Sequence, residues 1–490
     1  VTADPRPLRR DTAPAAPPRL VHLGLGAFHR AHQAWYTARA DDAAEWGIVA
    51  FGGRAPRPGD LDVPAALARQ DGLYTLVERS EDGDAFTVVD SIVAAHPGPR
   101  TDLINAHLAD PRTAVVTLTI TEAGYRLAPD GGPDLADPAL LADLARLREA
   151  SAVDDPAALT GATTAPGRLL AGLEARRRAG AGPIALVPCD NLPGNGALLR
   201  GGLLALAAEV DAGGHHGSLA SWLADHASVI STSVDRITPR AEPDLAETVR
   251  RATGRSDAVP VVTEPFSDWV LEGEFPAGRP AWEAAGALVV DDVEPFESRK
   301  LWLLNGAHSL LAYAGLLADH VTVAQAIEDP TLRRAVEGWW SEAARHLPAD
   351  LDAAAYSRAL LARFRNHRVE HRLAQISADG SAKIRLRILP VLRAEADAGR
   401  AAPGAELAVA AWVAAHRRGL PLVDAAGDDV ARACSAAEPV EALLAMLDPA
   451  LFAGTPVGAR VRDGVRRLVG AAEGSRHCGE ISPGATARPA

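Results

Sequence analysis

The sequence holds 490 residues with a formal net charge of −13, long enough for two or three domains and too acidic for a nucleic-acid binder, whose phosphate contacts need clustered Lys and Arg. Its three cysteines, Cys189, Cys434 and Cys478, are too few and too scattered for a disulfide framework and form no Cys-x-x-Cys pair, so a reducing, cytoplasmic setting is expected. No apolar run reaches the ~18 residues of a membrane span, and the first residues lack the apolar core of a signal peptide.

Residues 1–18 are rich in Pro, Arg and Ala and are expected to be poorly ordered. Arg19-Leu-Val-His-Leu is a short apolar strand that runs into Gly24 and Gly26; Ala27 to Ala40 reads as a helix, and Trp46 to Phe51 as a second strand. Strand, Gly-rich turn, helix and strand make a βαβ unit, although the third glycine of the dinucleotide fingerprint is replaced by His29. Further strands are expected at Leu76–Glu78, Phe86–Val89 and Thr113–Ile120. The last is nearly continuous in apolar and β-branched residues, as a buried parallel strand should be. Its carboxyl end carries Thr121 and Glu122, at the level where open α/β sheets bind ligands. Helices follow at Pro138–Glu149 and near Arg168–Arg178, then a strand at Pro183–Val187. That strand ends in Cys189-Asp-Asn-Leu-Pro-Gly-Asn-Gly196, where Asn191 is either a turn-former or a side-chain donor. Gly196 to Val210 is helical, His215 and His216 fall in a surface loop, and Ser231 to Pro239 reads as short, polar and irregular. Val261 opens another strand.

Beyond about residue 290 the strand signals stop and helical patterns run to Val469. The expected organisation is therefore α/β: a Rossmann-like domain over 19–289, a mainly α-helical domain over 290–470, and a disordered tail over 471–490. The second domain opens on Glu294-Pro-Phe-Glu-Ser-Arg-Lys300-Leu-Trp-Leu-Leu-Asn305-Gly-Ala-His308. Pro295 suits a first helical turn. At ~100° per residue, Glu297, His308 and Asn305 fall within about 140° of Lys300, a polar stripe on an otherwise apolar helix. Buried polar groups need partners. Farther on, His371 to Arg387 sets Gln375, Lys383 and Arg387 around the Asp379–Gly380 turn.

Four stretches together resemble the polyol-specific long-chain dehydrogenases, the mannitol dehydrogenase family: His22-Leu-Gly-Leu-Gly-Ala-Phe-His-Arg-Ala-His32, Cys189 to Gly196, Val234-Asp-Arg-Ile-Thr-Pro239 and Lys300 to His308. Asp379-Gly-Ser-Ala-Lys383 is a weaker fifth. The resemblance covers roughly residues 19 to 465. It departs before Val234, where Val229-Ile230 stands in place of a frequent Phe-Pro pair.

The resemblance implies an NAD(P)-dependent oxidoreductase that takes a small polyol or sugar acid, needs no metal, and uses Lys300 as acid/base. Asn191 and Asn305 are then oxyanion donors and His308 a substrate contact. Such chemistry suits the residue types: a secondary alcohol needs a base for its hydroxyl proton and an acceptor for hydride. Burial and cationic neighbours such as Arg299 or Lys383 lower a lysine towards working range, and amides donate without ionising. Glu297 either relays the proton or simply pairs with Lys300. Asp235 and Lys383 bind the polyol chain or pair with each other; Arg236, Gln375 and Arg387 complete the substrate candidates. The cofactor candidates are Gly24, Gly26, Phe28, Arg30, Thr121, Glu122, Arg54 and Arg57.

The second strand ends without the acid that marks NAD. Arg54 and Arg57 follow it, with Asp60 and Asp62 only later; NAD is the expected cofactor, with NADP tolerated. D-Mannitol to D-fructose is the first expectation for the reaction and mannonate/fructuronate chemistry the alternative, favoured by Arg385 and Arg387 beside Lys383. A nucleotide-binding sensor without catalysis is the reading from another class, against which Lys300, Asn191 and Asn305 speak.

Overall fold

A computed structural model describes residues 6–10, 14–53, 59–129, 131–151, 153, 155–212 and 218–477. The chain divides into two compact units, Val1–Glu294 and Pro295–Ala490.

The first unit is built on six strands: β1 (Pro18–Leu23), β2 (Gly47–Phe51), β3 (Ile92–His96), β4 (Val115–Leu118), β5 (Ile184–Pro188) and β6 (Ala227–Val229). All pair in parallel, in the order β3-β2-β1-β4-β5-β6. This is the doubly wound nucleotide-binding order, and it reverses direction between β1 and β4. The central strands β1, β2, β4 and β5 are apolar on both sides because each face carries its own core. Leu20, Ile48, Val115 and Val187 pack into one core, and Val21, Val49, Val116 and Leu186 into the other. Two three-stranded sheets flank this one. Tyr74–Ser80 pairs with Gly83–Val89 and Val261–Thr263, and Asp268–Glu272 pairs with Ser231–Asp235 and Leu288–Val290.

Several expectations need correction here. Residues 6–10 are not loose: Arg6–Pro7 is a strand in parallel with Arg255–Ser256, Leu8 is fully buried, and Arg10 donates to the carbonyls of Asp71 and Ile92 at 3.0 Å each. Ser231–Asp235, expected to be irregular, is a strand whose backbone pairs with Asp268–Glu272. The helix expected over residues 27–40 breaks at His32 (φ −120°, ψ −93°) into Ala27–Ala31 and Gln33–Ala38. Its ring nitrogen Nε2 lies 3.1 Å from the Asp268 carbonyl, and the ring stacks on Phe28. Strand β3 and the helix Thr101–Leu108 had no counterpart among the expected elements.

Among the described residues the elements of the second unit are all helices. Its centre is Pro403–Arg417, where every residue from Ala408 to Ala415 is buried. Ala307–Leu317, Pro330–Ala344 and Pro456–His477 pack around it. That last helix carries residues 471–477, expected to be disordered; residues 478–490 lie outside the described residues. Among the described residues no helix is long and apolar enough to cross a membrane.

Candidate active site

In the first unit the carboxyl ends of β1, β2 and β4 surround a cavity of about 730 Å3, lined by Gly24, Gly53, Asp60, Thr119, Thr121 and Arg168 among others. It sits at the reversal of strand order, the place where doubly wound sheets bind ligands. Gly24 has φ +111°, and a Cβ there would lie 2.3 Å from the Thr119 carbonyl oxygen. The turn therefore requires glycine for the fold itself. Gly26 differs: a Cβ would meet nothing nearer than the Gly24 carbonyl at 3.6 Å. The protein leaves open space beside this backbone, as a nucleotide pyrophosphate needs.

His22 and His29 stack under this turn, ring centroids 3.3 Å apart and 9° from parallel, both fully buried. His22 lies between two hydroxyls, Nδ1 2.8 Å from Thr117 Oγ1 and Nε2 3.1 Å from Thr119 Oγ1. Burial drives its pKa down to about 3 and that of His29 well below the usual histidine range, so both rings are neutral. Thr119 Oγ1 in turn donates to the Gly24 carbonyl at 2.8 Å, which ties the pair to the glycine turn.

Arg30 is buried rather than presented to a ligand. Its Nε donates to the Gly26 carbonyl at 3.1 Å and its Nη1 to the Val259 carbonyl. It holds the turn from behind. Phe28 is half-buried, and Glu122 lies exposed in the short turn Glu122–Tyr125. Asp62 caps the helix Val63–Arg69 by accepting from Ala65 N at 3.0 Å, whereas Asp60 lines the cavity. Arg54 and Arg57 lie outside the described residues. Among the described residues, a cation that the sequence did not single out lies beside the end of the second strand. Arg168 donates through Nη1 to the Gly53 carbonyl at 2.7 Å, and burial lowers its pKa.

Asn191 stands exposed in the turn after β5. The residues around it are clamped. Asp190 accepts from the Tyr125 hydroxyl and, at 2.9 Å, from Leu192 N. Asn195, fully buried, accepts from Thr232 N at 2.9 Å and donates to the Thr232 carbonyl at 3.0 Å. A Cβ on Gly196 would lie 2.6 Å from Ser231 Oγ. The Asn-Gly pair is thus what lets the turn dock on strand Ser231–Asp235. Asp235 ends that strand, buried. Arg236 is not available as a substrate ligand: its guanidinium donates to the carbonyls of Ala31 (2.7 Å) and Glu264 (3.1 Å), pairs with Glu78 at 2.5 Å, and lies over the Trp35 ring.

In the second unit the opening helix is of three parts: α-helical Glu294–Arg299, π-helical Lys300–Gly306, and α-helical Ala307–Leu317. The spacing of 100° per residue therefore fails between Lys300 and Gly306. A π turn closes i→i+5 bonds with roughly 4.4 residues per turn, so Asn305 returns to about 50° from Lys300 instead of the 140° of an α-helix. Lys300, Glu297 and Asn305 are half-buried and His308 is buried. His308 stacks on Phe364 with centroids 4.7 Å apart and meets His371 edge-on at 4.8 Å; its Nε2 is buried without a hydrogen-bond partner. Burial, then the charges of His371, Arg363, Arg387 and Lys383, hold its pKa well below the usual range. Arg387 donates to the Asn305 carbonyl at 3.3 Å and to Ser309 Oγ at 3.2 Å, and burial brings its pKa down to about 10. Lys383 donates to the Ile376 carbonyl at 3.0 Å, its pKa also lowered by burial. Gln375 is exposed. The structure brings together Asn305, His308 and Arg387, with Lys383 within electrostatic reach. Among the described residues no three His, Cys, Asp or Glu side chains gather as a metal site would require.

The family models described as the mannitol dehydrogenase Rossmann domain and the mannitol dehydrogenase C-terminal domain match residues 18–284 and 292–449. D-Arabinitol 4-dehydrogenase of Ralstonia nicotianae is 38% identical over 388 residues, 77% of this chain and 78% of the relative. D-Mannonate oxidoreductase of Escherichia coli K12 is 35% identical over 405 residues, 81% and 80% of the two chains. The solved structure of Pseudomonas fluorescens mannitol 2-dehydrogenase, in ternary complex with NAD and D-mannitol, is 31% identical with a TM-score of 0.73, covering 96% of this chain and 95% of that one.

Proposed function

The chain belongs to the mannitol dehydrogenase family, and on that premise we propose that this oxidoreductase interconverts a polyol and its ketose, with D-mannitol and D-fructose as first candidates, NAD as cofactor and Lys300 as acid/base. The observation that carries this reading is the π turn, which returns Asn305 to the face of Lys300 one turn before His308. A base, an amide donor and a neutral imidazole on one continuous helix are what removal of a proton from one hydroxyl and recognition of a second require.

Lys300 takes the hydroxyl proton. The amide of Asn305 donates to the oxygen as charge develops on it, a role that the family resemblance also implies for Asn191, and Glu297 passes the lysine's proton on to water. His308 meets a further substrate hydroxyl, which gives its buried, unpartnered Nε2 a hydrogen bond. A bound nicotinamide supplies the hydride acceptor. The residues fit such a cofactor: Gly26 leaves its phosphates an open backbone, Gly24 makes the turn that brings this backbone to the strand end, and Asp60, which lines the cavity, is the acceptor for the ribose 2′-hydroxyl on this reading. The solved relative that holds NAD and D-mannitol supports the same pairing here. Replacement of Lys300 by Ala is expected to lower turnover by roughly 10²–10⁴ while nucleotide binding persists; near-normal turnover overturns the assignment.

A second reading keeps the chemistry and gives the substrate a carboxylate. Lys383 and Arg387 both act on His308, cations that the carboxylate of a sugar acid would meet. Nucleotide reduction followed by absorbance, with D-mannitol, D-arabinitol and D-mannonate side by side, decides between the two.

A further inference from the structure

A π turn in a long helix needs a cause, and one recognised cause is a foreign side chain set into the ladder of carbonyls. Here there are three. Trp339 Nε1–H donates to the carbonyl of Trp302 at 2.9 Å, and Trp340 Nε1–H donates to the carbonyl of Leu303 at 2.7 Å. Arg387 Nη1 donates to the carbonyl of Asn305 at 3.3 Å. The two indoles are consecutive residues of the helix Pro330–Ala344, nearly or fully buried. Consecutive side chains leave a helix about 100° apart, so two of them gripping two consecutive carbonyls fix the turn in both rotation and rise.

The grip is itself braced. A Cβ on Gly306 would lie 2.6 Å from the Trp339 ring, so the ring rests directly on the end of the π turn. A Cβ on Gly404 would lie 2.6 Å from Trp339 N. Two residues beyond Trp340, the Glu342 carboxylate accepts from Gly404 N and Ala405 N at 2.8 and 2.9 Å. The tryptophan pair is thereby locked to the first turn of Pro403–Arg417, the central helix of the unit.

We infer that Trp339 and Trp340 are positioning residues for the reaction, holding the π turn that sets the Asn305 amide on the face of Lys300. The inference rests on the acid/base reading of Lys300 given above. Without the indole donors the segment is free to relax towards α-helical winding, which would swing Asn305 from about 50° to about 140° away from the lysine. A misplacement on the order of 1 Å at a reacting group costs roughly 10²-fold in rate.

The test is a mutant cycle on the full chain. Trp340→Phe removes the donor and is expected to lower turnover roughly 10–10²-fold, to move the acid limb of the pH profile of kcat, and to leave nucleotide affinity unchanged. In a Lys300→Ala background the same change should cost less than about threefold, because the geometry it protects no longer matters. Should phenylalanine leave a hole that unfolds the second unit, benzothienylalanine at position 340 replaces the indole N–H by sulfur at nearly equal volume and is expected to give the same losses. Full turnover in a folded donor-less variant overturns the inference, as does an undiminished loss in the Lys300→Ala background. Near-normal turnover of Lys300→Ala alone instead overturns the lysine assignment on which the inference rests.

Discussion

Gly24 and Gly26 occupy one turn yet are glycine for opposite reasons, and alanine at each should fail in opposite assays. At Gly24 the added methyl would lie 2.3 Å from the backbone oxygen of Thr119, just past β4, and sit at φ +111°. Overpacking of that kind costs about 1–3 kcal/mol, and the positive φ adds about 1–2 kcal/mol. The sum, on the order of 2–5 kcal/mol, shifts the melting temperature of a unit this large by roughly 4–15 °C. At Gly26 the nearest protein atom to the methyl is 3.6 Å away, so Gly26→Ala should melt within about a degree or two of the wild type. On the proposed reading the open space beside Gly26 receives the nucleotide. A methyl intruding on it costs binding about 1–3 kcal/mol, which raises the nucleotide Kd roughly 5- to 150-fold. Thermal melts without ligand, and fluorescence titration with NADH, give both numbers from one preparation. A Gly26→Ala variant that binds NADH as tightly as the wild type would refute the reasoning, and so would a Gly24→Ala variant that melts with it.

Replacing Asn305 by Ala should lower turnover about 10²-fold or more, and Asn191→Ala likewise; a double variant no worse than a surface change makes both structural. Arg168→Ala should lower kcat/KM for NADP relative to NAD by about tenfold or more, and an equal fall for both nucleotides would leave Arg168 as a support for Gly53 only. His22 titrates near pH 6.5 unfolded and at about 3 folded. Its contribution is thus complete above pH 6.5 and is lost as pH falls towards 3, at up to about 1.4 kcal/mol per pH unit. Denaturant midpoints between pH 7 and pH 4 should therefore fall less steeply in His22→Asn than in the wild type, and parallel curves would rule the ring out.

Much of the first unit was legible because its central strands are short apolar runs: β1 and β2 end in glycines, β5 reads directly as a strand, and β4 reads as a buried parallel one. Strand β3 escaped because Ile-Val-Ala-Ala-His is too short and alanine-rich to stand out. Ser231–Asp235 escaped because its buried polar residues are satisfied by partners far away in sequence, Thr232 by Asn195 above all. Charge was the weakest guide. Arg30 and Arg236 look like ligand contacts, yet they spend their guanidiniums on carbonyls brought from elsewhere in the chain, and no local pattern distinguishes the two cases. The π turn was invisible for a related reason: its cause lies in Trp339, Trp340 and Arg387, far from Lys300 in sequence, while periodicity assumes an undisturbed helix.

The short pairing of Arg6–Pro7 with Arg255–Ser256 has a bearing on how the first unit is made. During synthesis residues 6–10 wait for nearly 250 more to appear before their partner strand exists. Closing so long a loop costs little more than closing a short one, since the entropy grows only with the logarithm of length, but contacts of such separation form late. Until then the place for Leu8 stays open. A short stretch attached last is also the one most easily detached, so brief openings of the native protein should begin there. Amide exchange at Leu8, whose N–H is bonded to the Ser256 carbonyl, would then report the seam through which the unit starts to come apart.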